Sequence, residues 1–216
     1  MTDYATLQAD IAEWAVRDDL AAKTPSFIRL AEAKVNRRVR VMEMETAATL
    51  ELTSGNSYEA DLPSGFRGFR SLYNTAARNP RMMYIEPDRF HINDNSPNDA
   101  FSDLRSGETP YTIERNKLII DAPAGATDTV TIQSVYYKAL DPLSDVNTTN
   151  AVLTAHYDAY LYAGLAELWD YADELEMEAK YTRKFDRIVE EIAENERGRR
   201  RSAGANIRRA PDRRVV

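Results

Sequence analysis

Eight arginines fall within the stretch RGRRRSAGANIRRAPDRRVV, residues 197–216, beside a single acid, Asp212. Guanidinium forks at this density pair with phosphates or with carboxylates. The whole chain of 216 residues holds 28 basic and 35 acidic side chains, so the first 196 keep 20 and 34, a body near −14 joined to an end near +7. Other candidates for chemistry are weaker. His156 and Asp158 stand two apart on a helical stretch and point in different directions, so they make no base with its orienting carboxylate. The stretch HINDNSPNDAFSD offers Asp94, Asn95, Asn98, Asp99 and Asp103 as oxygen ligands, but it lacks the central glycine and closing glutamate of a calcium loop and reads as a solvated loop. SGFRGF has two glycines without the lysine and hydroxyl of a phosphate loop and reads as a turn. Glu174, Glu176, Glu178, Glu190, Glu191, Glu194 and Glu196 interleave with Lys180, Arg183, Lys184 and Arg187 as a solvated helix face does. No catalytic, cofactor-binding or metal-binding set emerges, and the chain reads as a non-enzyme.

Three readings compete for the arginines. They form a nucleic-acid arm, weakening with salt; or Arg197, Arg199 and Arg200 complement a helix C-terminus that frays at Gly198; or the strip is an extension that orders on a protein partner, with Ile207, Val215 and Val216 as apolar anchors. A body near −14 repels a phosphate backbone, and the strip has no aromatic side chain on which a base can stack, so the third reading leads.

These residues need a scaffold. Tyr4, Leu7, Ile11 and Trp14 fall on one stripe of a helix over 3–16, and Ile28, Ala31, Val35 and Val39 on a second that starts at a Thr24 cap followed by Pro25. From Thr46 the period shortens. TAATLELTSGNSYEADLP reads as strands joined by a turn at Ser-Gly-Asn, and FRSLYN, RMMYIE, YTIERNKLIID and TVTIQSVYYKA as similar runs, broken at Pro63, Pro80, Pro110 and 121–125, with a short helix and polar loop over 87–98. The connections are too short for helical crossovers, which predicts a mainly antiparallel unit. Helical spacing returns after Asn150: one stripe runs from Leu153 to Leu168, ending near Tyr171, and a second helix, capped at Asp173, buries Tyr181, Phe185, Ile188 and Ile192. The predicted fold is α+β: a helical bundle of the N- and C-terminal helix pairs (1–45 and 146–196), an inserted β-rich domain (46–145) and an extended arginine-rich tail (197–216). Cysteine is absent, which removes disulfides and thiolate sites, and neither a signal peptide nor a membrane span is expected.

The segment DDLAAKTPSFIRLAEAKVNRRVRVMEMETAATLEL, residues 18–52, resembles the N-terminal signature of the adaptor proteins beneath the portal of tailed bacteriophages, through Phe27-Ile28, Leu30 to Ala33, Asn36-Arg37, Arg40 and Met42-Glu43. Leu143-Ser144-Asp145, Tyr160 to Glu167 and EAKYTRKFDRIV are similar to that family's C-terminal helical pair, and YEADLPSGFRGFRSLY and VYYKA to its strands. The resemblance covers the chain to about residue 195. It implies a structural head-to-tail connector: a homo-oligomeric, dodecameric ring on the portal protein, presenting a platform to tail or nozzle proteins, with DNA crossing its channel without sequence-specific binding. It implies a virion location, assembly in the host cytoplasm, no cofactor and no membrane contact. By position the C-terminal end would reach the portal, through Arg197, Arg199, Arg200, Arg201, Ile207, Arg208, Arg209, Arg213, Arg214, Val215 and Val216. A nucleic-acid-binding protein acting through the same arginines is the alternative.

Overall fold

Apolar spacing of three and four at both ends of the chain, and of two between them, sets the element order. The computed structural model describes residues 2–56, 58–75, 81–92, 108–121 and 129–204. Along the chain run helices α1 (Tyr4–Ala15) and α2 (Thr24–Arg38) and strands β1 (Glu45–Thr53), β2 (Glu59–Asp61), β3 (Phe66–Asn74) and β4 (Met82–Tyr84). Helix α3 (Pro87–Ile92), strands β5 (Thr109–Glu114), β6 (Lys117–Ile120) and β7 (Thr129–Lys138), and helices α4 (Ala151–Ala155), α5 (Tyr157–Tyr171) and α6 (Leu175–Gly204) follow. The fold is α+β, and it divides into a helical unit of 1–43 and 140–216 and a β unit of 44–139.

In the helical unit α5 is the central helix. Its Tyr160, Leu165 and Leu168 are fully buried, together with Leu7 and Ile11 of α1 and Ile28 and Val35 of α2, and Phe185 and Ile192 of α6 are buried beside them. Each such aliphatic side chain removed from water contributes about 1.5–3 kcal/mol. Gly164 lets α1 approach closely: a Cβ there would stand 2.5 Å from Ile11 Cδ1. Trp14, expected on the buried stripe, is half-exposed and Ala15 takes its place, because Tyr4, Leu7, Ile11 and Ala15 keep the narrower face.

Four local expectations are corrected. Thr24 is not a cap: its own backbone is helical (φ −51°, ψ −39°), because a 3-10 turn over Asp18–Lys23 feeds straight into α2. The helix expected from Leu153 to Leu168 is two helices, capped by the Asn150 side chain on Leu153 N–H (2.8 Å) and broken at His156, whose φ of −139° and ψ of 60° leave the helical region. Asp173 does not cap α6; at φ 59° it closes the turn after α5, and the carbonyl of Glu174 takes the first bond of the new helix from Glu178 N–H, 3.0 Å. Finally, the tail expected to be extended from Arg197 begins in helix: α6 continues through Gly198 to Gly204. Within the helical unit, Leu140 N–H donates to Asn36 Oδ1 and Leu143 N–H to buried Glu32, each at 2.9 Å.

The β unit holds a three-stranded sheet, ordered β1-β7-β3, and a four-stranded sheet, ordered β2-β6-β5-β4. Their inner faces enclose Leu50, Leu52, Leu62, Leu118, Ile120, Val130 and Ile132. The run YTIERNKLIID, expected as one strand, is the β5–β6 hairpin: Arg115 and Asn116 both take positive φ (47° and 64°), as a two-residue turn of matching twist requires. One pair is parallel. Met82 to Tyr84 align with Thr109 to Tyr111, the intervening residues 85–108 being long enough for a crossover and including α3. Only the start of SGFRGF is the turn expected: Phe66 N–H closes on Pro63 carbonyl (3.1 Å) and Gly65 supplies the positive φ of 73°, while Phe66 to Phe69 already belong to β3.

Candidate functional site: the arginine end of the last helix

The apolar stripe of α6, Tyr181, Phe185, Ile188 and Ile192, extends by its own period to positions 196 and 199, where the sequence has Glu and Arg. A carboxylate carried onto a core face must be satisfied there. Glu196 is only 5% exposed. Its Oε2 accepts the backbone N–H of Met42 (3.2 Å), its Oε1 accepts Arg199 Nη1 (2.6 Å), and Arg200 Nη2 stands 3.9 Å away. Arg199 also reaches Glu43 Oε1 at 3.1 Å. The 3-10 turn at Met42–Met44 is thereby fastened to the last helix of the unit by one buried carboxylate and one guanidinium.

The two carboxylates hold the Arg199 guanidinium above its ordinary pKa, through hydrogen bonds to Glu43 and Glu196 and through their charge. Burial by itself would raise the Glu43 carboxyl. Its own backbone N–H, the hydrogen bond and charge of Arg199, and the charge of His156 outweigh that and leave it below its ordinary value. Arg197 donates from Nε to the carbonyl of Ala193 at 3.1 Å and stays exposed. Arg201 lies on the same helix. Ile207, Arg208, Arg209, Arg213, Arg214, Val215 and Val216 lie outside the described residues.

The structure therefore brings Arg199 and Arg200 together around Glu196, and it corrects the reading of Glu196 as part of a solvated helix face. The missed signal was available: the same stripe that identifies Ile192 reaches Glu196 four residues later, and Arg199 and Arg200 follow at the helical spacings of three and four. Two further carboxylates of the helical unit are buried and answered by distant partners. Glu167 pairs with Lys34 Nζ (2.6 Å), and Glu32 accepts Leu143 N–H. Burial raises the Glu32 carboxyl above its usual range, the Leu143 bond opposing it.

The histidines are not brought into one site. His91 Nε2 lies 2.6 Å from Glu114 Oε1 on the β unit, while His156 sits in the break between α4 and α5. The oxygen ligands proposed at Asp94, Asn95, Asn98, Asp99 and Asp103 lie outside the described residues. Among the described residues no group of three or more His, Asp or Glu side chains is placed to hold a metal ion, and no helix is long and apolar enough to cross a membrane.

The arrangement ties guanidinium groups of the helix end to carboxylates of their own unit. The chain has no match among curated proteins. The family described as SU10 adaptor protein matches residues 2–210, both helix pairs and everything between them. By that match the chain belongs to the SU10 adaptor protein family.

Proposed function

We propose that this protein is a head-to-tail adaptor of a tailed phage, forming a ring on the portal that joins the capsid vertex to the tail and surrounds the path of the DNA. The observation that carries this reading is the family match over 2–210, since adaptors of this kind are structural phage proteins. The surface of the helical unit is consistent with repeated protein contacts. Trp14 (47% exposed), Val16 (85%), Tyr171 (55%) and Leu175 (71%) present large apolar side chains to solvent. A closed ring needs two different patches meeting head to tail, and such residues supply the apolar part of one. Val16 takes a left-handed backbone (φ 52°) as the C-cap of α1, its N–H donating to the Glu13 carbonyl (3.1 Å), which turns its side chain out of the helix end.

The portal contact runs through Arg197, Arg199, Arg200, Arg201, Ile207, Arg208, Arg209, Arg213, Arg214, Val215 and Val216. Arg199, already paired with Glu43 and Glu196, has least to offer a partner, so the contact rests mainly on the other arginines of the strip; the absence of an aromatic side chain there favours a protein partner over a nucleic acid. An acidic body lets DNA pass without gripping it.

The test is to mix purified protein with its portal and image the product. Ring-shaped layers on the portal are expected, and reversing Arg208, Arg209, Arg213 and Arg214 to Glu is expected to weaken attachment while leaving the thermal midpoint unchanged. Unaltered attachment by that variant would remove the arginine strip from the portal contact. A portal that stays bare beside correctly folded protein would remove the adaptor reading.

A further inference from the structure

The two edges of the three-stranded sheet differ. Strand β3 is irregular, its register against β7 slipping between Phe66 and Gly68 and again between Phe69 and Ser71, and Tyr73 bridges to Arg81 on its outer side. Bulges and positive charge are the usual protections of a sheet edge. Strand β1 has neither. It pairs with β7 without a slip from Glu45↔Tyr137 to Thr53↔Thr129, it contains no proline or lysine, and its Thr46, Ala47, Thr49 and Glu51 are exposed. Among the described residues β7 is its only strand partner. Beside this edge lies a cleft of about 630 Å3, lined by Thr49 and Glu51 of β1, Glu59 and Asp61 of β2, and Lys117 of β6. Lys117 pairs with Glu59 at 2.8 Å, so Glu51 and Asp61 leave the cleft negative.

We propose that the outer edge of β1 takes residues 205–216 of a second copy as an added strand, with arginines seated over Glu51 and Asp61. Charge complementarity selects the occupant. The segment ANIRRAPDRRVV carries four arginines against one acid and ends in two β-branched valines. Its length also fits: twelve extended residues span roughly 40 Å, beyond the roughly 30 Å of a nine-residue strand. Backbone ladder bonds on either side of Pro211, which as part of an edge strand can face its missing N–H to solvent, would supply affinity and the carboxylates direction, as in strand addition generally. A contact between different surfaces of two copies is the head-to-tail kind that closes rings or continues chains. The inference rests on the adaptor reading for one point, that this segment seeks a protein partner, and it concerns the protein before a portal is present.

Sedimentation of the full-length protein at low salt tests it. The wild type is expected to associate with rising concentration and to dissociate when salt is added. Two variants are expected to remain monomeric under the same conditions: one with Glu51→Lys and Asp61→Lys, the other with Arg208, Arg209, Arg213 and Arg214 each changed to Glu. Mixed in equal amounts they are expected to form one-to-one complexes, because one keeps the cleft and the other keeps the arginines. Circular dichroism verifies that each is folded, and Asp61→Asn, which preserves size, is expected to weaken association several-fold in parallel. A wild type monomeric at every concentration, variants that associate as the wild type does, or a mixture that stays monomeric would each overturn the proposal. Portal attachment measured on the same samples separates the two readings: a monomeric wild type that still coats the portal defeats this inference alone.

Discussion

The helical unit and the β unit differ in the polar side chains they bury. The helical unit buries three carboxylates, Glu32, Glu167 and Glu196, and each is answered from far along the chain: by Leu143 N–H, by Lys34, and by Met42 N–H with Arg199. The buried polar side chains described in the β unit are all neutral, Asn74, Thr109, Thr112 and Ser134, and its strands are tied by ladder bonds. The difference has a physical lesson. Helices satisfy their backbone internally, so two helix pairs from opposite ends of a chain need side chains to fix their register, and a charge-assisted bond to a buried carboxylate does this with direction. Sheets fix register through the backbone itself and can leave their interior uncharged.

The comparison is sharpened first by core truncation, where both units should respond alike. Leu165→Ala in α5 and Leu118→Ala in β6 remove fully buried side chains, and each is expected to cost about 2–5 kcal/mol in denaturant unfolding. The units should then part. Glu196→Ala removes the acceptor of Met42 N–H and both partners' counter-charge; the orphaned N–H alone carries about 1–3 kcal/mol, and Arg199 adds little because it is exposed to solvent. In the β unit, Lys117→Ala breaks only the solvent-exposed pair with Glu59 and is expected to cost about 0.2–1 kcal/mol. Equal losses from these two substitutions would break the contrast.

A smaller effect concerns pH and has two signs inside the helical unit. The Glu43 carboxyl lies below its ordinary value, so its contribution is present above that range and disappears as pH falls through the folded value. Glu32 lies above its ordinary value, so its contribution is fullest in acid and is lost as pH rises through the folded value. Glu32→Gln keeps an acceptor for Leu143 N–H without charge, and its thermal midpoint is expected to exceed that of the wild type at pH 7 and to converge with it near pH 4. A variant less stable at pH 7 would mean that the carboxylate, not the acceptor, holds Leu143.

Much of the fold was legible because periodicity reports burial. Ile28, Ala31, Val35 and Val39 are all buried, and the strand-like middle of the chain is a β unit. What was not legible has physical reasons. The break at His156 leaves no trace in the apolar stripe, because α4 and α5 both bury their part of it. The Arg115–Asn116 turn has no glycine and was hidden inside a β-rich run. At Glu196 phase outweighs residue type: a glutamate on the apolar stripe, followed by arginines three and four residues on, is buried and paired. The family resemblance, carried by residues on both helix pairs, agrees with the match over 2–210.

The central claim is that this chain assembles on a portal as a ring. Native mass measurement of the portal before and after addition of the protein tests it most directly. The account expects one discrete heavier species, with a fixed whole number of added copies in keeping with the portal's own symmetry, while a portal of unchanged mass in the presence of excess folded protein would contradict it.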